Sequence, residues 1–270
     1  MDYRYQNLKL HYEVVGNGKP VILLHGLGYD LNMMKGCMEP VFQKVCGYKR
    51  IYVDLPGMGR SGAPAEFASA DKILEVLVSF LQDTVKENFL LAGESYGGYL
   101  VRGILVKLPE RTDGMLLLCP VAVPDSGRRV VPKPEEDLRD PVFLESLDEE
   151  ARKDFCQFAV LADEQIYTRF REKIAPGLKL FDASFVNRLK QAYAFSFDVD
   201  GEIRKLHFRK PVLFLCGRQD ACVGYQDQWR LLEDYPRASF SVIDAAGHNL
   251  QIEQPELFET LVKNWLLMVI

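Results

Sequence analysis

Apolar positions along the chain fall into two rhythms. Near-continuous apolar runs of strand length recur at Val21–Leu24, Ile51–Val53, Phe89–Ala92, Met115–Cys119, Val212–Cys216 and Phe240–Ile243. Runs without polar alternation suit a parallel sheet covered on both faces. Between them, apolar residues return at helical spacing over Asp30–Val45, Ser69–Lys86, Tyr96–Leu108, Gly224–Asp234 and Glu256–Met268. The alternation predicts an α/β fold: a mostly parallel sheet with helices on both faces. The first residues differ. Tyr3–Gln6 and Leu8–Val15 are extended pieces, with turn chemistry at Gly16-Asn17-Gly18, and they predict antiparallel strands at the sheet edge.

One stretch interrupts this rhythm. Residues 124–206 hold no run that reads as a buried strand. They open on a proline-rich, charged connection (Pro124, Pro132, Pro134), followed by helix-like segments at Glu135–Leu147, Asp148–Leu161, Glu164–Ile174 and Asp182–Phe195. Asp148 with Glu149 and Glu150 makes a good first helical turn, and Pro176-Gly177 punctuates the last two helices. The expected organisation is a core domain made of residues 1–123 and 207–270, carrying a helical insertion at 124–206.

Composition narrows the function classes. The 270 residues are 48% apolar and carry a net charge of −5. That suits one large α/β domain or two small ones and gives no basic cluster for nucleic acid. The N-terminus lacks the apolar region of a secretory leader, and no apolar stretch is long enough to span a bilayer. Trp265–Ile270 reads as the buried end of a final helix. The six cysteines (37, 46, 119, 156, 216 and 222) include no C-x-x-C and no zinc spacing to histidine. Reduced thiols and a cytoplasmic location are expected, with no metal.

The chemistry is expected at one edge of the sheet. Leu90–Ala92 runs into Gly93-Glu94-Ser95-Tyr96-Gly97, a G-x-S-x-G pattern between a strand and an amphipathic helix. A serine there sits on a tight turn that pushes its hydroxyl out of the sheet edge, and glycines on either side let the two arms approach. A nucleophilic serine needs a base and a group to orient that base. Of the four histidines, His11 lies in an edge-strand pattern and His207 among charged residues, whereas His25 suits a loop brace. His248 follows the Phe240–Ile243 strand in a loop, which puts it on the same carboxyl edge as Ser95. Asp220 lies four residues past the Val212–Cys216 strand, also on that edge; Asp244 and Asp125 are the weaker candidate acids. The resulting catalytic expectation is Ser95, Asp220 and His248. The oxyanion donors are the N–H groups of Leu27, in the glycine-flanked turn His25-Gly26-Leu27-Gly28, and of Tyr96.

The set of residues resembles the α/β-hydrolase superfamily. The matching pieces are His25-Gly26-Leu27-Gly28, the 54–61 stretch D-L-P-G-M-G-R-S, the 93–98 stretch G-E-S-Y-G-G, the 217–220 stretch G-R-Q-D and Gly247-His248, in family order over nearly the whole chain. The resemblance implies an α/β-hydrolase fold with an eight-stranded core and a helical cap after the sixth strand. It makes Asp54 part of a structural loop. Glu94 departs from the His or Asn more often found there; it could raise the base's pKa, contact a polar substrate group, or serve as a buried brace.

The expected function is a serine hydrolase: a carboxylesterase acting on small to medium ester-like substrates through an acyl-enzyme, with no cofactor. Relatives use the same triad for carbon–carbon bond hydrolysis, prolyl iminopeptidase activity and thioester cleavage. Carbon–carbon hydrolases commonly carry an aromatic residue just after the histidine, where this chain has Asn249. A non-catalytic receptor on the same fold is the alternative outside enzymes. No membrane or nucleic-acid partner is expected.

Overall fold

A computed structural model describes residues 1–134 and 138–269. The core is an eight-stranded sheet in the order β1-β2-β4-β3-β5-β6-β7-β8. The strands are β1 (Asp2–Tyr5), β2 (Leu8–Val15), β3 (Lys19–Leu24), β4 (Tyr48–Val53), β5 (Phe89–Glu94), β6 (Thr112–Leu118), β7 (Val212–Gly217) and β8 (Ala238–Ile243). From β4 onward all neighbours are parallel, while β1 and β2 form an antiparallel edge. Every residue of β5 and β7 is buried, as their unbroken apolar runs require. The turn at Gly16-Asn17-Gly18 makes no hairpin. β2 and β3 both pair with β4, which lies between them.

Helices α1 (Leu31–Phe42), α2 (Ala70–Thr84) and α3 (Tyr96–Lys107) follow β3, β4 and β5 in turn. After β6 come α4 (Pro141–Glu145), α5 (Glu149–Cys156), α6 (Glu164–Lys173), α7 (Ala183–Gln191) and α8 (Val199–Leu206); α9 (Gln226–Arg230), α10 (Leu250–Glu253) and α11 (Pro255–Met268) complete the chain. Each of α4 to α8 starts on an aspartate (Asp140, Asp148, Asp163, Asp182, Asp198) whose carboxylate accepts an N–H of the first turn. Such a cap satisfies one of the donors that a helix start leaves open.

The described part of 124–206 adds no strand to the sheet, but its helices differ from the expected ones. The helix expected over Glu135–Leu147 is the short α4, and residues 135–137 lie outside the described residues. α5 ends at Cys156 rather than Leu161. The apolar residues beyond it turn toward the sheet edge, and the N–H groups of Val160 and Leu161 are given to the Glu253 carboxylate instead of helix carbonyls. α8 was not expected; it buries only Val199 and Ile203, so its apolar signal is short. The expected Gly224–Asp234 helix is α9 followed by a tighter turn at Leu231–Asp234.

The segment packs in two ways. Phe185, Val186 and Leu189 of α7 and Val199 and Ile203 of α8 join the main core. Phe155 of α5 and Ile166 and Phe170 of α6 form a second cluster with Tyr29, Met33 and Ile252. Among the described residues no helix is long and apolar enough to cross a membrane. Trp265 and Leu266 of the apolar tail are fully buried, and the Trp265 indole donates to the Pro211 carbonyl at 3.3 Å. Trp265→Ala should lower unfolding free energy by about 3–5 kcal/mol, the range for emptying a large buried aromatic site. Urea unfolding monitored by circular dichroism measures it, and a change below about 1 kcal/mol would show that the tail is not a core element.

Candidate active site

Parallel pairing brings the ends of four strands to one edge. Glu94 pairs with Leu118, Leu118 with Leu215, and Gly217 with Ile243. The loops that follow therefore open on one side of the sheet. Ser95 stands directly after β5 at φ 52°, ψ −115°, a conformation that L-residues rarely adopt. Its turn closes only because both flanking residues are glycines. A Cβ on Gly93 would lie 2.4 Å from the Gly97 carbonyl oxygen, and one on Gly97 would lie 2.4 Å from that of Leu24. The elbow is fixed by main-chain bonds: the Ser95 N–H donates to Leu118, and the Ser95 carbonyl accepts from Val121 and Tyr99.

The candidate base and acid come from the loops after β8 and β7. Ser95 Oγ lies 2.9 Å from His248 Nε2, and His248 Nδ1 lies 2.9 Å from Asp220 Oδ2. The other Asp220 oxygen accepts the N–H groups of Cys222 and Val223, at 2.8 and 3.0 Å, so the carboxylate is held from two sides. With Nδ1–H donated to Asp220, Nε2 is left to accept the serine proton. Asp244 is exposed and accepts from Gln219, and Asp125 is exposed and caps a turn, so neither weaker acid pairs with His248. Among the other histidines, His11 pairs with Asp2, and exposed His207 ends α8. Buried His25 accepts the Leu55 N–H and so ties the 25–28 turn to the 54–61 loop.

The two candidate oxyanion donors sit beside the serine. Tyr96 opens α3, where the first N–H groups have no helical acceptor and the helix dipole is positive. The turn holding Leu27 approaches so closely that a Cβ on Gly26 would lie 3.2 Å from the Ser95 Cβ. Among the described residues the Leu27 N–H donates to no main-chain carbonyl. A developing negative charge on a bound carbonyl would meet both groups.

Burial sets the electrostatics. It opposes a charge on His248, but Cys222 and Asp220 beside the ring favour one and prevail, so the imidazole titrates well above its ordinary value. Burial pushes the Glu94 carboxyl up to about 8. The donor atoms of Cys119, Asp220 and His248 lie within 4.8 Å of one another. The Asp220 and His248 atoms already engage each other, Ser95 and the Cys222 and Val223 N–H groups, which is the pattern of a hydrogen-bonded relay rather than an open ligand set.

A cavity of about 340 Å³ reaches His248 and is lined by Phe158, Val160, Gln219, Ala221 and Cys222 among others. The Phe158 ring stands 5.6 Å from the imidazole, centre to centre, and Tyr193 packs 4.4 Å from the Tyr96 ring. Both aromatics come from the 124–206 segment. A larger groove of about 650 Å³ lies between α2 and the Ser196-Phe197 turn, and its lining includes none of the candidate catalytic residues.

One buried carboxylate beside the candidate base escaped the sequence reading. Glu253 is buried, and its carboxylate accepts the N–H of Gly247 at 2.6 Å on one oxygen and those of Val160 and Leu161 at 2.6 and 3.2 Å on the other. It thus links the residue before His248 to the segment that carries Phe158. Burial raises it to about 7 against the pull of these three donors. The only local signal was an acid directly after Leu250-Gln251-Ile252, five residues beyond the histidine.

Comparison with known proteins adds four findings. A family model described as the alpha/beta hydrolase fold matches residues 19–255. A 2-hydroxy-6-oxononadienedioate/2-hydroxy-6-oxononatrienedioate hydrolase of Paraburkholderia phymatum is 28% identical, covering 96% of this chain and 91% of that protein. A pimeloyl-[acyl-carrier protein] methyl ester esterase of Nitrosomonas europaea is 26% identical over 92% and 96% of the two chains. Among solved structures, an alpha/beta superfamily hydrolase from Oenococcus oeni PSU-1 superposes with a TM-score of 0.88 at 32% identity, covering 100% of this chain and 99% of that one.

Replacing Glu253 should disturb His248 without touching Ser95. Glu253→Ala leaves two buried N–H groups (Val160 and Gly247) and the half-buried one of Leu161 without their acceptor, each buried one worth about 1–3 kcal/mol. The variant should lose stability and at least about tenfold in kcat for hydrolysis. Thermal unfolding and steady-state kinetics measure the two effects, and unchanged kcat in a folded variant would show that the link does not hold His248 in place.

Proposed function

The chain belongs to the α/β-hydrolase family and is a hydrolase, and on that premise we propose that it cleaves small to medium carboxylic esters through an acyl-serine intermediate. The observation that carries this reading is the continuous relay Ser95–His248–Asp220, with two 2.9 Å steps on one edge of the sheet. In the proposed reaction Asp220 holds the His248 tautomer. His248 Nε2 takes the Ser95 proton as Oγ attacks the carbonyl carbon. The Leu27 and Tyr96 N–H groups hold the oxyanion, and His248 then gives the proton to the leaving alcohol. Water, deprotonated by the same imidazole, releases the acid and restores Ser95.

We assign residues 124–206 as a cap over this site. Support comes from Phe158 against His248, Tyr193 against Tyr96, and the 7% exposure of Ser95. The cavity of about 340 Å³ reaches His248 but its lining does not include Ser95, so support for substrates of modest size comes from the burial of Ser95 beneath this segment. The name of the Paraburkholderia phymatum relative supports a second reading, hydrolytic cleavage of an unsaturated 2-hydroxy-6-oxo dicarboxylate. Asn249, where such enzymes commonly carry an aromatic residue, favours the ester.

Ser95→Ala should fold normally and lose about 10³-fold or more in turnover, and Asp220→Asn up to about 10⁴-fold through the wrong imidazole tautomer. Hydrolysis of p-nitrophenyl esters by the purified variants measures both; wild-type rates in Ser95→Ala would end the acyl-serine reading. A short aryl ester should turn over much faster than emulsified triolein, and the reverse order would mean that the cap does not enclose the site. In parallel, turnover of a 2-hydroxy-6-oxo-dienoate without turnover of any ester would establish the second reading.

Activity should also fall as pH drops. Only neutral His248 can accept the serine proton, and its imidazole titrates above the ordinary 6.5. The acid limb of kcat/KM should therefore lie above about pH 6.5. A profile flat down to pH 5 would exclude a histidine base.

A further inference from the structure

Glu94 is an ionisable group that the proposed reaction does not use. It ends β5, one residue before the nucleophile, and is fully buried. Neither carboxyl oxygen completes a well-formed hydrogen bond among the described residues, although the Gly26 N–H lies close enough to favour the carboxylate. Oε1 points at His248 Nε2 from 3.5 Å, and Nε2 is the nitrogen that holds the Ser95 hydroxyl. Oε2 lies under Gly26, where a Cβ would stand only 2.2 Å from it. The side chain thus fits against the 25–28 turn, while its open hydrogen-bonding capacity faces the imidazole.

The groups around it leave His248 as the counter-charge. Tyr29, Cys37 of α1, Tyr193 and Cys119 after β6 all feel the Glu94 charge. Burial drives each of these four upward, so each is neutral near pH 7 and offers no positive charge. Arg129, near Tyr193, gives its guanidinium to the carbonyls of Val123, Pro124 and Cys222. On the far side of the ring, Asp220 already holds Nδ1, and Cys222 stands beside the imidazole. Burial is the main obstacle to ionising Glu94; a charge on His248 and the Gly26 N–H ease it, and the Asp220 carboxylate across the ring opposes it. The attraction to His248 is reciprocal, so a Glu94 carboxylate must favour the imidazolium by the same amount.

We propose that Glu94 is a positioning residue for the proton: a second carboxylate that stabilises His248 while Nε2 carries the proton taken from Ser95. This deepens the acyl-serine reading and rests on it. The proton leaves Ser95 Oγ for Nε2, and the resulting imidazolium stands between two carboxylates, Asp220 at Nδ1 and Glu94 beside Nε2. It then passes from Nε2 to the leaving alcohol; where Glu94 is ionised, above about pH 8, it keeps its charge through both transfers. When Glu94 is itself protonated, its O–H faces Nε2 and competes with the Ser95 hydroxyl for the lone pair. Glu94 and His248 therefore titrate as a pair, and the acid limb of activity belongs to both.

His248 itself provides the readout. Four histidines make the Cε1–H NMR signals few enough to assign, with His248→Gln marking the signal of interest. In Glu94→Gln, which keeps the shape beneath Gly26 and removes the charge, the His248 midpoint should fall by about one pH unit or more. The acid limb of kcat/KM should move down with it. A brace that only fills space would leave both midpoints where they are, and that result overturns the proposal. If Glu94→Gln does not fold, Glu94→Asp decides. With the charge retained, His248 should stay near its wild-type midpoint, and a fall as large as that expected for the amide overturns the role of charge. The NMR titration does not depend on turnover. It therefore tests Glu94 even if Ser95→Ala shows that another residue is the nucleophile.

Discussion

Ser95 is held at φ 52°, and a non-glycine residue in such a conformation costs about 1–3 kcal/mol that the surroundings must offset. Much of the architecture can be traced to that requirement. The strand before the serine is buried along its whole length, and α3 behind it is buried from Tyr96 to Leu105. Gly93 and Gly97 let β5, α3 and the end of β3 meet without side-chain bulk. Two further strained residues stand at the same edge: Cys119 at φ 39° after β6, and Ala245 at φ 51° after β8. Three of the five non-glycine residues at positive φ among the described residues thus stand where the loops turn sharply to face one another; Gln6 and His207 are the two elsewhere.

That edge was legible in the sequence because parallel strands carry a direction. Once Val212–Cys216 and Phe240–Ile243 read as buried strands, whatever follows them within a few residues shares an edge with Ser95. Asp220 and His248 needed no further information than that, and Asp244 was separable from Asp220 by its position too close to the strand end. The helical segment was less legible for a physical reason. Its elements are capped clearly by Asp148, Asp163 and Asp182, yet their ends depend on partners far away in sequence. α5 stops at Cys156 because Glu253 takes the N–H groups of Val160 and Leu161, more than ninety positions upstream. α8 is anchored by two apolar residues and by Asp200, which pairs with the buried Arg102 of α3. Neither bond leaves a periodic trace in the local sequence.

The two modes of packing within 124–206 have a mechanical consequence. α7 and α8 are continuous with the main core and should move with it. α5 and α6 have their own small cluster, joined to the core through Tyr29, Met33 and Ile252. An element with fewer core contacts opens at lower free energy than the domain as a whole. If the proposed cap admits substrate, α5 and the Phe158–Leu161 turn are the part best placed to yield. Glu253 limits that freedom, since displacing Val160 and Leu161 would leave the carboxylate bonded to Gly247 alone, next to the proposed base. Access and base placement are thereby coupled through one side chain.

The same coupling bears on how much of the proposed chemistry depends on a closed site. Charge effects at His248 are strong only while water is kept away from the ring. Phe158 covers one face, and the burial of Glu94 and Asp220 removes water from either side. Opening the 158–161 turn would hydrate the imidazole, weaken its attraction to both carboxylates and lower its affinity for the serine proton. Closing it does the opposite. On this reading the proposed cap does more than restrict substrate size. It sets the strength of the base, and the buried acids on either side of His248 are the groups through which it does so.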